Sequence, residues 1–366
     1  MKLFILSAAA FLVVSPVAAQ DSTMAEETAY QNKVLFLPAL GSTPETGFLF
    51  GAVVVPQFKR SGAGPDTRSS SVLFSGIYTS KNQILLSIAP DIILPREAWI
   101  INGNYFVNYF PNSYWGIGPK SRGSDEINVL FTEITAEQTV LKKVSRGFFT
   151  GPYIRWNKVY NLSFEDRDGV SLPTEDIPGG AGSVSSGVGW MSRWDLRNSN
   201  MTPTQNHFIQ VSFLVNSSLL GSTDQYTSFQ FDARKYLDLK QGGRSVLALQ
   251  GLYRSLTGNP PFLELSELGG DRIGRGYYAG RYRDLNALQL QSELRQTIRG
   301  RFGFTVFGAM GEVWHRYEDF NVSSVKWSTG LGFRININKN DPTNIRIDYG
   351  IGKGTTGFYI QFGEAF

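Results

Sequence analysis

From residue 33 onward the chain alternates between apolar and polar residues with a period of two, as β-strands with two different faces do. The clearest segment, 228–234, reads SFQFDAR, with large or small apolar residues on one face and polar or charged residues on the other. The same alternation recurs to the end of the chain and predicts about sixteen strands. Their predicted bounds are 33–40, 46–58, 69–80, 83–94, 97–110, 125–141, 145–160, 182–195, 205–217, 224–237, 243–256, 285–298, 301–313, 323–336, 343–351 and 355–366.

This pattern fits two all-β folds, a soluble sandwich with an apolar core and a transmembrane antiparallel β-barrel with an apolar outer face. The even number of strands and their unequal connections favour the barrel. If the chain enters from the periplasm, the longest connections (111–124, 161–181 and 257–284) follow odd-numbered strands and are extracellular. Connections after even-numbered strands, such as 299–300 and 339–342, are mostly short, and 59–68 is the exception.

The start of the chain has the three-part layout of a secretory signal peptide. Lys2 precedes an apolar run from Leu3 to Val14, and small residues at 17–19 follow. The run is shorter than the roughly 20 apolar residues of a membrane-spanning helix. We therefore expect cleavage after Ala19, which removes a signal peptide at 1–19.

The remaining chain is expected to form one domain. Residues 20–32 are too few for a folded unit and are predicted to be a short periplasmic tail. Residues 33–366 are predicted to form the barrel. In the last segment, 357–366, Glu364 falls on the apolar-face parity, and we expect it at the periplasmic water boundary, where charge costs little.

Composition narrows the class further. A mean hydropathy of −0.16 with no second long apolar run excludes a helical membrane protein, whereas alternating barrel strands average to such a value. Two His and no Cys disfavour a transition-metal site, and no catalytic constellation can be assigned. A net charge of +4 without a basic cluster disfavours nucleic-acid binding. The sequence thus predicts neither an enzyme nor a cofactor.

The most informative stretch is Leu268 to Trp314, which reads LGGDRIGRGYYAGRYRDLNALQLQSELRQTIRGRFGFTVFGAMGEVW. It contains an Arg-Gly-Tyr loop motif, a Glu-x-Arg strand and a Phe-x-Ala-x-Gly strand; these are Arg275, Gly276 and Tyr277, then Glu293 and Arg295, then Phe307, Ala309 and Gly311. The stretch resembles the Omp85 superfamily, which includes the D15 bacterial surface antigens and the BamA- and TamA-like barrels. Since residues 20–32 are too few for a folded unit, we expect a barrel-only member without the periplasmic POTRA domains of the family's assembly proteins.

The residues favour a site at which paired charges hold the loop against the barrel wall. Glu293 has the opposite parity to the leucines of strand twelve and points into the lumen if the leucines face lipid. A long loop before strand twelve that folds inward would bring Arg275 onto this carboxylate as a charge-assisted pair. The resemblance implies that this contact holds the loop inside the barrel.

One position departs from the family pattern, because Ala309 stands where the family has a second acidic partner. Either Glu293 carries the arginine alone, or another lumen-facing acid such as Asp348 replaces the missing one. The alternative to both is that Arg275 is a solvated loop arginine.

The resemblance also implies a location and a role. Phe366, the last residue, resembles the terminal aromatic that the family's assembly machinery reads, and the barrel is expected in the bacterial outer membrane after export. One functional hypothesis is protein or lipid insertion or translocation through a weak seam between the first and last strands, where Pro38 and Pro44 interrupt the first. The other is a passive pore or structural barrel without an assembly role. Expected partners are outer-membrane lipids and either protein substrates or a separate periplasmic protein.

Overall fold

The computed structural model describes residues 32–64, 67–338 and 343–366 of the chain. The predicted signal peptide (1–19), all but the last residue of the predicted tail (20–32) and the predicted turn at 339–342 lie outside the described residues.

Within the described residues, sixteen antiparallel strands form one closed barrel, which confirms the predicted fold class. Each strand pairs with the next along the chain, and the last pairs with the first. The strands are β1 (Lys33–Thr43), β2 (Gly47–Phe58), β3 (Ser70–Thr79), β4 (Ile84–Ile93), β5 (Trp99–Tyr109), β6 (Ile127–Ser145), β7 (Phe148–Glu165), β8 (Ser183–Asp195), β9 (Asn206–Asn216), β10 (Tyr226–Asp238), β11 (Ser245–Gly258), β12 (Asn286–Arg299), β13 (Phe302–Trp314), β14 (Lys326–Asn338), β15 (Thr343–Gly352) and β16 (Thr355–Phe362).

The two faces of the wall differ as a lipid-facing barrel requires. Large apolar side chains on the outer face are exposed in the isolated chain, among them Leu290, Met310 and Trp327. Polar and charged side chains on the inner face are buried, among them Gln291 and Glu293. No helix in the described parts of the chain is long and apolar enough to cross a membrane.

Most strands differ by a few residues from their predicted bounds, and three of these differences are informative. β1 runs without interruption to Thr43, since Pro38 stays in register opposite Ala52 and lacks only an N–H that an edge strand can spare. The β6–β7 hairpin turns at 146–147, later than predicted, because residues 142–145 remain in the strand although most are polar and exposed.

The third difference is at the end of the chain, where the prediction for Glu364 is wrong. β16 ends at Phe362, and the following Gly363 has a φ of +75°. This left-handed residue turns the chain off the wall. Glu364 is therefore buried on the inside and does not lie at a water boundary.

The long connection between β11 and β12, residues 259–285, folds into the barrel lumen and is largely buried. A small hairpin of two short strands, Ser266–Leu268 and Tyr282–Asp284, gives it internal structure. We call residues 259–285 the lumen loop.

Candidate functional site in the barrel lumen

Arg275 lies at the tip of the lumen loop, and its side chain is 1% exposed. Its Nη2 atom donates to the carboxylate of Glu293 on β12, and its Nη1 atom donates to the carboxylate of Asp348 on β15. One guanidinium thus bridges two acids on strands that are not neighbours. Such charge-assisted bonds are stronger than neutral ones, and burial leaves little water to compete with them.

The flat face of the same guanidinium lies over an aromatic ring. The Cζ atom of Arg275 is 3.6 Å from the ring centroid of Phe307 on β13, which is 3% exposed. A cation over a ring is attracted by the negative face of the π-system. Phe307 therefore forms the floor of the arginine site between the two acids.

The loop backbone lies directly against the wall at this point. Gly276 has a φ of +109°, and a Cβ atom there would be 2.8 Å from the backbone carbon of Ile351. On the wall, a Cβ atom at Gly350 would be 2.7 Å from the backbone of Arg275. Both positions require glycine, because any side chain would push the loop away from β15.

The residues around the arginine fix the loop further. Tyr277 is 2% exposed, and its hydroxyl accepts a hydrogen bond from the backbone N–H of Lys353 at 2.9 Å. On β13, a Cβ atom at Gly311 would be 2.8 Å from the Leu268 side chain, so the absent side chain makes room for the loop hairpin.

The arginine site continues into a wider charge network toward the end of the chain. Arg334 on β14 donates to Asp348 at 2.5 Å and to Glu364 at 2.8 Å. Arg346 on β15 donates to Asp348 at 3.3 Å and to the backbone oxygen of Asp271 in the lumen loop at 2.8 Å.

Arg295 connects this network to the last residue. Its Nε atom donates to Glu293 at 2.8 Å, and its Nη2 atom donates to the backbone oxygen of Phe366 at 2.9 Å. The ring of Phe366 is buried, 5.1 Å from the Arg295 guanidinium and 6.3 Å from the ring of Tyr236. The last residue therefore lies inside the barrel.

A second ion pair holds the lumen loop near its start. Here the acid is in the loop and the arginine is in the wall. Glu264 in the loop accepts two hydrogen bonds from Arg155 on β7, at 2.9 and 2.7 Å. Both side chains are almost fully buried. The loop is thus tied to β7 on one side of the lumen and to β12 and β15 on the other.

The lumen loop also contacts both sides of the junction between β1 and β16, which we call the seam. The N–H of Ala279 donates to the Glu45 carboxylate in the β1–β2 turn at 2.6 Å. The N–H of Gly276 donates to the Tyr359 hydroxyl on β16 at 2.9 Å. Burial raises the pKa of the Glu45 carboxyl above its usual range, against the opposing effect of the Ala279 bond.

Of the wall residues that the sequence singled out, Glu293, Phe307 and Asp348 contact Arg275 directly. Arg295 reaches the site through Glu293, and Gly311 lies apart from it, against Leu268 of the loop hairpin. Asp348 occupies the role of the second acid, and Ala309 lies half-buried on the inner face of β13 without a carboxylate. Sequence reasoning missed several charged partners: Arg155, Glu264, Arg334, Arg346 and Glu364. The lumen parity of Arg155, Arg334 and Arg346 could have shown that these strand arginines point inward, but not which acids they pair with.

The network contains carboxylates but no arrangement typical of a metal centre. No group of three or more His, Cys, Asp or Glu side chains in the described residues could hold a metal ion. The acids of the arginine site pair with guanidinium groups, as carboxylates with a structural role do.

Known protein families and solved structures include several that are similar to this chain. The model of the Omp85 superfamily domain matches residues 179–366. BamA from Haemophilus ducreyi lacking POTRA domains 1–3 has a similar fold, with a TM-score of 0.61 and 14% identity over 91% of this chain and 70% of that chain. A comparison with curated proteins finds no match.

Two further structures have similar folds. CdiB from Escherichia coli gives a TM-score of 0.58 at 12% identity, over 88% of this chain and 62% of that one. CdiB from Acinetobacter baumannii gives 0.52 at 13%, over 90% and 59%. This chain therefore spans less than two thirds of either CdiB chain.

Proposed function

The chain belongs to the Omp85 superfamily, and we propose that its barrel inserts or translocates proteins or lipids at the bacterial outer membrane through the seam between β1 and β16. A barrel of this family implies residence in that membrane. The proposal includes a cleaved signal peptide and either protein substrates or a separate periplasmic protein as partners.

The observation that carries the proposal is the weakness of the seam. β1 and β16 share a single registered pair, Ser42 with Ile360. Every other pair of neighbouring barrel strands shares at least eight registered pairs. Since ladder hydrogen bonds and cross-strand side-chain contacts stabilise a sheet, this junction separates at the lowest cost.

The lumen loop supports a gated barrel over a passive pore. Its buried residues cross the lumen between β7 and β15, and a permanently open channel would need these ion pairs to break. Breaking a buried pair costs about 3–5 kcal/mol because it leaves an uncompensated charge. The resting barrel is thus closed by its own loop.

The test combines depletion with a covalent seam. The chain contains no Cys, so Ser42→Cys with Ile360→Cys introduces a unique pair at the registered position. We expect depletion of the protein to lower the levels of other outer-membrane proteins or to alter the outer-membrane lipid composition. The wild-type chain restores these levels, and the oxidised double-cysteine variant does not until a reductant is added.

A matched control is available in a complete strand pair. Ser75 and Ser87 are registered partners on β3 and β4, so Ser75→Cys with Ser87→Cys forms a comparable cross-link away from the seam. This variant should restore function in both redox states. An unchanged membrane proteome and lipid composition after depletion would overturn the proposal and leave a structural barrel.

A further inference from the structure

The outer wall of the barrel carries a depression of about 870 Å³ over β9 to β13, well away from the seam. Its floor consists of small outward-facing residues on successive strands: Ala233, Gly251, Ser292 and Gly308. Larger apolar side chains, Leu249, Leu290 and Met310, line it and are 38–54% exposed. Its volume is within the range of about 300–1,000 Å³ typical of small-molecule sites.

The glycines of this floor are not required by the packing of the wall. A Cβ atom at Gly308 would meet nothing closer than a backbone oxygen at 3.8 Å. At Gly251 the nearest atom is the tip of the Leu290 side chain at 3.2 Å. By contrast, a Cβ atom at Gly189 in β8 would be 1.8 Å from a backbone oxygen. Since glycine weakens a strand interior, its use where nothing rigid crowds it leaves open space on the lipid side.

One end of the depression is polar and basic. His207 and Lys235 are registered partners on β9 and β10, and both belong to its lining. The indole ring of Trp194 lies against His207, with 4.5 Å between ring centroids. No acidic residue in the described parts of the chain forms a salt bridge with Lys235, although most strand arginines of the lumen have one.

This basic end lies near the membrane boundary. His207 is close to the start of β9 and Lys235 is close to the end of β10, at the barrel end where β1 begins and β16 stops. We assign this end to the periplasm, because the long loops lie at the opposite end. Gly308 is at the middle of β13, so the depression runs from the periplasmic boundary toward the middle of the bilayer.

We propose that this depression binds an anionic glycerophospholipid of the periplasmic leaflet of the outer membrane. One acyl chain lies in the apolar floor over Gly251 and Gly308, and the phosphate contacts the Lys235 ammonium. A lysine near an anionic lipid surface contributes a favourable charge interaction, and a tryptophan suits the headgroup level. An outer-leaflet lipid would place its charged group at the opposite end of the barrel.

The test uses the purified full chain in nanodiscs that contain phosphatidylglycerol and phosphatidylcholine with identical acyl chains. Native mass spectrometry after release counts the lipids that each variant retains. Gly308→Leu fills the floor, and Lys235→Gln removes the charge. We expect Lys235→Gln to reduce retained phosphatidylglycerol about fivefold, which corresponds to the effect of one basic residue at a membrane surface. Gly308→Leu should also reduce it, because the added side chain occupies the space of the acyl chain.

Two substitutions on other parts of the wall serve as controls. Gly76→Leu adds the same side chain at an outward position of β3, where the nearest atom to a Cβ would be the tip of a side chain at 3.6 Å. Lys142→Gln removes a lysine on β6 that lies 5.8 Å from the Trp99 ring centroid at the same barrel end. Both should retain phosphatidylglycerol as the wild type does.

Two outcomes would overturn the proposal: equal retention of phosphatidylglycerol by all variants, or equal retention of the two lipids by the wild type. A change in barrel self-association without lipid loss would assign the depression to a second copy instead. Heat-modifiable gel mobility reports folding of each variant. Lys235→Gln leaves the apolar floor unchanged and decides the outcome if Gly308→Leu does not fold.

Discussion

The guanidinium of Arg275 bridges two carboxylates that an ammonium group cannot span in the same way. Arg275→Lys keeps the charge but loses the fork that reaches Glu293 and Asp348 together. We expect this variant to lower the free energy of unfolding by roughly 1.5–3 kcal/mol, the range for a hydrogen bond to a charged group. Urea titration of the folded barrel in lipid vesicles, followed by tryptophan fluorescence, measures the change.

Arg167→Lys is the matched control, since its side chain is 60% exposed and pairs with Glu126 only at 3.6 Å. An exposed pair of this kind is expected to contribute less than about 1 kcal/mol. If the two lysine variants unfold at the same urea concentration, Arg275 is not held in the lumen as the structure has it.

The ring of Phe307 makes a contribution distinct from that of the two acids. Phe307→Leu keeps an apolar side chain beneath Arg275 and removes the π-face. We expect a loss of about 0.5–2 kcal/mol for the desolvated cation–π contact, in addition to a small packing cost. Phe304→Leu, on the outward face of the same strand, is the control in the same urea titration. Equal losses at the two positions would argue against a special role for the ring.

At the scale of elements, the lumen loop is held by ion pairs of opposite polarity, one near its start and one at its tip. We expect Glu264→Arg or Arg155→Glu alone to place like charges together in a buried site and to release the start of the loop from β7. The double swap restores opposite charges. Single-channel conductance in planar bilayers should therefore rise in each single variant and return toward the wild-type level in the double variant.

The same cycle at the tip uses Arg275→Glu and Glu293→Arg. In the double variant the conductance should return only partly to the wild-type level, because Asp348, Arg295 and Arg334 remain and face the swapped charges. A conductance that does not change in any single variant, with folding unaltered, would contradict the view that these pairs keep the loop in the lumen.

The elements differ in how far the sequence could predict them. Period-two alternation sufficed for sixteen strands because each strand has one lipid face and one lumen face. It failed at Glu364, which follows the left-handed Gly363 and pairs with Arg334, a residue 30 positions away along the chain. It could not identify Arg155 as the partner of Glu264 either. Pairing across the lumen depends on the closed shape of the barrel, which local pattern does not contain.

At the scale of the whole molecule, the weakest junction of the barrel is bridged from inside by the buried lumen loop. Gly276 and Ala279 are three residues apart in the loop, and they contact Tyr359 on β16 and Glu45 beside β1. The single ladder pair at the seam is therefore supplemented by hydrogen bonds through the loop. Opening the seam and moving the loop become one event, because neither side can separate while both bonds remain.

This coupling predicts the behaviour of a variant that leaves the ladder intact. Tyr359→Phe keeps the ring and removes the hydroxyl that accepts from Gly276, so the seam should open more often. In the Ser42→Cys, Ile360→Cys background, added Tyr359→Phe should slow disulfide formation severalfold, because the two thiols spend less time in register. Tyr349→Phe, on the exposed outer face of β15, should leave the rate unchanged. Equal rates in both variants would mean that the loop rests against the seam without holding it, and gating would then depend on β1 and β16 alone.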